Sequence, residues 1–67
     1  MIYLHEANRV FNIYVLNGDT IGSMLIRINK FRNPDNQITV CYLQDGTEVS
    51  NDFVIQGKME IYIHQAT

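Results

Sequence analysis

Two early stretches of the chain, Ile2 to His5 and Val10 to Leu16, are rich in isoleucine, valine, tyrosine and phenylalanine. In the second, Phe11, Ile13 and Val15 fall on one side, with Asn12 and Tyr14 on the other. That period of two marks a half-buried strand. The polar residues Glu6-Ala7-Asn8-Arg9 between them predict a β-hairpin, with Asn8 in the left-handed turn position that asparagine tolerates. Asn17-Gly18-Asp19-Thr20 breaks the alternation, and from Ile21 the spacing changes. Ile21, Met24, Leu25, Ile28 and Phe31 recur as one face of a helix. Thr20 is its expected N-cap, and Asp19 suits its positive end. Arg27, Lys30 and Arg32 collect at the other end, where cations suit the helix dipole. Asn33-Pro34 closes the helix, because the residue before proline avoids the helical region. Gly22, in the first turn, costs roughly 0.5–1 kcal/mol against alanine, and propensity offers no reason for it.

A third strand is expected from Ile38 to Leu43. Gln44-Asp45-Gly46-Thr47 reads as a hairpin turn and Glu48-Val49 as a short extended piece. Ser50 to Ile55 reads as one helical turn or a loop with an apolar plug, and Gln56-Gly57-Lys58 as another turn. Met59, Ile61 and Ile63 then alternate with Glu60, Tyr62 and His64 in a last strand, followed by the polar tail Gln65-Ala66-Thr67. The order β-β-α-β-β-β predicts an α+β fold. One helix lies across a mixed sheet of four or five strands, with the first and last strands parallel neighbours at its centre. The expected core is Ile2, Leu4, Phe11, Ile13, Val15, Ile21, Met24, Leu25, Ile28, Val40, Phe53, Ile55, Ile61 and Ile63.

Sixty-seven residues hold one small domain, residues 1–67, and no second one. A net charge of −2 argues against a protein held to nucleic acid by phosphate contacts. The single cysteine, Cys41, cannot form an internal disulfide, which makes the nucleus or cytoplasm the expected compartment. No apolar run approaches the ~18 residues of a membrane span, and the N-terminus lacks the pattern of a signal peptide. A monomer that touches neither nucleic acid nor membrane is the expectation.

No nucleophile stands at a spacing that suggests a base and an orienting acid. Glycine-rich phosphate loops, HExxH and CxxC are absent from the sequence. The expectation is a non-enzyme without a cofactor. His5, His64 and Cys41 would suit zinc if they shared the open sheet face. Their separation in sequence favours unrelated residues on a solvated surface, so no metal site is assigned. Tyr3, His5, Tyr62 and His64 are expected on that open face with Glu60, and Thr39 or Cys41 beside them. Surface aromatics of this kind are enriched in recognition patches.

This order and several segments resemble the ubiquitin-like β-grasp superfamily. Asp19-Thr20-Ile21 looks like its D-T-I helix start. Pro34-Asp35-Asn36-Gln37 is similar to its P-D-Q-Q connection, and the stretch from Val49 to Gln56 to its L-S-D-Y-N-I-Q segment. Within the superfamily the chain most resembles the Hub-type group, also called ubiquitin-like protein five. Met1-Ile2, Asp19-Thr20-Ile21-Gly22, Asn36-Gln37-Ile38-Thr39-Val40 and the run from Gly57 to Gln65 are similar to that group's motifs, the last after one gap. The group's basic, aromatic stretch is replaced by Cys41-Tyr42-Leu43-Gln44, and its paired C-terminal tyrosines by Tyr62-Ile63. The resemblance implies a non-covalent modifier of pre-mRNA splicing. Its partner would be a short helical element of a splicing factor, the HIND element. Asp19 would be the charged anchor for an arginine of that element, with Thr20, Gly22 and nearby sheet residues beside it. Other readings stay open: an interaction domain of a larger protein, a bacterial secretion accessory protein, or a conjugatable modifier if a Gly-Gly tail is missing.

Overall fold

A computed structural model describes residues 1–64. The tail Gln65-Ala66-Thr67 lies outside the described residues. Two antiparallel strands, β1 (Ile2–Glu6) and β2 (Arg9–Ile13), form the hairpin. Ala7, at φ 52°, takes the left-handed turn position expected of Asn8. The helix α1 covers Ile21–Asn29. A single 3₁₀ turn, Pro34–Asn36, leads to β3 (Cys41–Tyr42), β4 (Glu48–Val49) and β5 (Met59–Tyr62). The strand order is β2-β1-β5-β3-β4. The first and last strands are parallel neighbours, with Leu4 opposite Ile61. The molecule is therefore α+β: one helix packed on an open, mixed, five-stranded sheet, an arrangement compatible with a β-grasp.

The core lies between α1 and one sheet face. Ile2 and Leu4 of β1 and Ile61 of β5 meet Ile21, Met24 and Leu25 of α1, with Ile38, Cys41, Val49 and Ile55 around them. Ile13, Val15, Ile28, Met59 and Ile63 pack against this cluster while staying partly exposed. Three expected core residues do not belong to it. Phe11 and Phe53 are exposed, and Val40 is only half-buried. Ile38, Cys41 and Val49 take their places. Cys41 and Val49 face each other across the short β3–β4 ladder, so both point to the core side.

Thr20 caps the helix as expected, its hydroxyl accepting the Ser23 N–H at 3.1 Å. The helix ends at Asn29, short of Asn33-Pro34, because the chain tightens into three-residue turns. The Phe31 N–H reaches the Ile28 carbonyl at 3.0 Å and the Arg32 N–H the Asn29 carbonyl at 3.3 Å. That tightening rotates Phe31 off the apolar stripe, and it is 91% exposed. β2 is shorter than expected. After Ile13 the chain turns, with Asp19 N–H donating to the Leu16 carbonyl at 3.1 Å, and Tyr14 and Leu16 stand exposed. The strand expected from Ile38 is likewise reduced to Cys41–Tyr42. The Asn29 side chain occupies the Ile38 backbone, donating to its carbonyl and accepting its N–H, both at 2.9 Å. A side-chain amide thus stands where a neighbouring strand would.

The segment from Ser50 to Ile55 clamps the helix start. Ile21 N–H donates to the Phe53 carbonyl at 3.0 Å, Gly22 N–H to the Asn51 carbonyl at 2.8 Å, and Ile55 N–H to the Asp19 carbonyl at 2.8 Å. Three of the first backbone groups of the helix region thereby find partners on the loop. Ile55, not Phe53, is the apolar plug. The clamp also explains Gly22: a Cβ there would lie 3.1 Å from the Asn51 carbonyl oxygen.

Candidate partner-binding surfaces

The predicted site residues divide among three places. Alternation along β1 and β5 turns Tyr3, His5 and Tyr62 to the face opposite α1, together with Glu60. Tyr42 joins them, being opposite Tyr62 across β3–β5. The His5 and Tyr62 rings stack at 4.2 Å between centroids and 15° between planes. His5 Nε2 lies 3.0 Å from Glu60 Oε1, which fixes the imidazole over the tyrosine. This face is a real aromatic patch, though a flat one. Two residues expected there are elsewhere. Cys41 is fully buried on the helix side, and its thiol is pushed up to about 11 by loss of solvent, so it stays protonated at neutral pH. His64 lies beyond the end of β5, exposed, beside a shallow pocket that Arg32, Gln37 and Ile63 also line. Thr39 is exposed in the connection before β3. The structure therefore does not assemble His5, His64 and Cys41. Among the described residues, no group of three or more His, Cys, Asp or Glu is placed to hold a metal ion.

The second place is the helix start, where Asp19, Thr20 and Gly22 do come together. Asp19 is not a free charge. Arg27, two turns along the helix, donates to it from Nη1 at 3.2 Å and Nη2 at 2.8 Å. The Leu16 N–H donates to Oδ2 at 2.8 Å. The Arg27 bonds first, and the Leu16 N–H second, hold the Asp19 carboxyl below the ordinary aspartate range. Its side chain is only 13% exposed. An incoming arginine would have to displace Arg27 or bind beside it.

The third place was not legible as a site in the sequence. Between α1 and the outer strand β2 runs an open cavity of about 500 Å³. Leu4, Phe11 and Ile13 form its floor, Ile28 and Phe31 its wall, and Arg27 and Arg32 also line it. Arg32 is braced by Glu6, which accepts from Nη1 and Nη2 at 3.1 Å each, while its Nε donates to the Asn36 carbonyl at 2.7 Å. The Glu6 carboxyl is held below the usual range, chiefly by the Arg32 bonds. The groove exists because a nine-residue helix cannot cover the whole hairpin. Phe11 and Phe31, which the periodicity assigns to the core and the helix stripe, instead line it and stay exposed. The available signal was the proximity of Pro34, which leaves no helical turn to bury Phe31.

No protein-family model, curated protein or solved structure matches this chain. Among the described residues, no helix is long and apolar enough to cross a membrane.

Proposed function

We propose that the chain is a non-catalytic protein-binding module whose contact surface is the groove between α1 and β2. The observation that carries this reading is Phe31, 91% exposed beside an apolar cavity of about 500 Å³. Apolar and aromatic anchors seated in such pockets supply most of the energy of protein contacts. A peptide-display selection against the chain, counter-selected on Phe31→Ala, tests it. Sequences enriched on the parent should lose binding to Phe31→Ala and Phe11→Ala. Enrichment indifferent to both substitutions, but lost with Tyr3→Ala or Tyr62→Ala, would move the contact to the aromatic sheet face.

A narrower form of the proposal is a ubiquitin-like, Hub-type modifier acting in splicing in the nucleus and cytoplasm. What supports it is the Asp19-Thr20-Ile21-Gly22 motif at a helix start, in a fold compatible with a β-grasp. The Asp19–Arg27 pair weighs against Asp19 as a ready-made anchor. A titration with a HIND-type helical peptide decides it, by saturable amide shifts from Asp19 to Ser23 that weaken in Asp19→Ala. Silence at millimolar peptide rejects the narrower form and leaves the groove proposal standing.

A further inference from the structure

We propose that Asn17-Gly18, in the turn before α1, is a self-modification site, where conversion of Asn17 to isoaspartate loosens the start of the helix. The geometry of the turn is the first argument. Asp19 N–H donates to the Leu16 carbonyl at 3.1 Å, and Gly18 sits at φ 87°. Among the described residues only Ala7 and glycines have positive φ, so Asn17 has a negative one. That combination is a type II turn with glycine in its third position. Both residues are exposed, and neither the Gly18 N–H nor the Asn17 side chain makes a hydrogen bond among the described residues. Nothing lies within 4 Å of where a Cβ on Gly18 would be.

The chemistry is the second argument. The Gly18 nitrogen, its proton taken by solvent base, can attack Cγ of the Asn17 side chain. The N–Cγ bond forms, the bond from Cγ to the side-chain amide nitrogen breaks, and ammonia leaves carrying a proton. Water then opens the five-membered imide. Addition at Cγ gives aspartate; addition at the main-chain carbonyl gives isoaspartate, with the chain running through Cβ and Cγ. The sum is amide plus water to carboxylate plus ammonium, with no oxidant or reductant. Glycine favours the attack because no Cβ shields its nitrogen and its permissive backbone lets the peptide unit swing toward Cγ.

The rest of the chain supplies the contrast. Asp45-Gly46 could close the same imide with loss of water. There, however, the Gly46 N–H donates to the Leu43 carbonyl and Asp45 Oδ1 accepts the Thr47 N–H, both at 2.9 Å. Nitrogen and carboxyl are both held. Asn29 is locked onto the Ile38 backbone by two bonds of 2.9 Å, and Asn12 lies within β2. Asn33 precedes a proline, which has no N–H to give.

The consequence follows from what the turn holds. Leu16 meets Asp19 twice, its carbonyl accepting the Asp19 N–H at 3.1 Å and its own N–H donating to Oδ2 at 2.8 Å. Isoaspartate inserts an extra main-chain carbon between the two residues, and both contacts span it. Asp19 in turn holds Arg27, which lines the groove, and its carbonyl accepts the Ile55 N–H of the clamp. The modified turn therefore frees the Asp19 carboxylate from one of its two partners and slackens the loop contact at the helix start.

The test is incubation of the full chain in mildly alkaline buffer, folded and in concentrated urea. Peptide mapping with electron-transfer fragmentation then tells isoaspartate from aspartate. In the folded chain Asn17 should convert at least about tenfold faster than any other asparagine, and Asp45 should isomerise only in urea. Asn17→Gln should lose the conversion, since its imide ring is larger and closes more slowly. An intact Asn17, or a rate there that urea raises about tenfold or more, would overturn the site. A second arm isolates the isoaspartate form by its added negative charge and compares its amide spectrum with that of freshly prepared Asn17→Asp. The isoaspartate form should move the Leu16, Asp19 and Ile55 amides, whereas Asn17→Asp, with the main chain unaltered, should leave them near the parent positions. Coincident Leu16 and Asp19 amides in the two forms would overturn the loosening of the helix start.

Discussion

Replacing Gly22 by alanine sets two well-measured effects against each other, and the structure decides the sign. In a free helix the change would stabilise by about 1 kcal/mol, since alanine is the best helix former and glycine among the worst. Here the new Cβ would lie 3.1 Å from the Asn51 carbonyl oxygen and 3.3 Å from the Asn51 Cβ. The same carbonyl accepts the Gly22 N–H at 2.8 Å, so it cannot retreat without stretching that bond. Nor can the loop move alone, being tied at Ile21–Phe53 and Asp19–Ile55 as well. Overpacking of this kind costs typically 1–3 kcal/mol, and a weakened backbone hydrogen bond roughly 0.5–1.5 kcal/mol. Subtracting the helix gain leaves Gly22→Ala less stable by roughly 0.5–3.5 kcal/mol. In a chain this short that lowers the melting temperature by roughly 4–8 °C per kcal/mol. Thermal and urea unfolding read it directly, and the urea slope should be unchanged. A variant more stable than the parent would refute the clamp between the 50–55 segment and the helix start. Gly22→Ser should behave as alanine does, because the contact is made by the Cβ.

Three further outcomes are expected. Ala7→Gly should stabilise the chain by about 0.5–1 kcal/mol in urea unfolding, because Ala7 sits at φ 52°, where a Cβ costs roughly 1–2 kcal/mol and glycine gives back part of that as entropy; an unchanged midpoint would contradict the turn geometry. Cys41 titrates near 9.0 when unfolded and at about 11 when folded, so the folded state holds the proton longer: its contribution of roughly 2–3 kcal/mol is whole below pH 9 and is lost as pH rises toward 11. Cys41→Ala should flatten that alkaline limb, and the native thiol should resist an aromatic disulfide reagent at neutral pH. Glu6 and Asp19 have lowered folded values from 4.5 and 3.8 respectively, so their stabilisation is present above those values and is lost as pH falls through the lower folded ones. Glu6→Gln should make acid unfolding shallower, and an acid limb identical to the parent's would mean that the Arg32 pair is not kept in solution.

The central architecture could be read from the sequence because its signals are strong and local. The β-branched and aromatic run of β1, the alternation from Phe11 to Val15, the Ile21–Met24–Leu25 stripe and the Thr20 cap each correspond to an observed element. The parallel pairing of β1 with β5 followed from needing one face to cover the helix. What escaped was decided by tertiary partners that leave no periodic trace. Asn29 engages the Ile38 backbone and shortens β3, which no strand propensity foretells. Cys41 and Val49 are buried because a two-residue ladder fixes their facing, and a register set by one pair is invisible to pattern counting. Phe31 obeys helical spacing in sequence but lies past the point where the helix tightens. Of the four residues expected together on the open face, three, Tyr3, His5 and Tyr62, are neighbours there. Asp19 carries a charge that the chain itself already answers through Arg27, a pairing that its i, i+8 spacing does not announce.

The most direct test of the groove as the contact surface is an isotope-filtered NOE measurement on the chain bound to a display-selected peptide. The account predicts intermolecular contacts from the peptide's apolar side chains to the Phe11 and Phe31 rings and the Ile28 methyls. Contacts confined to the Tyr3, Tyr42 and Tyr62 rings would contradict it.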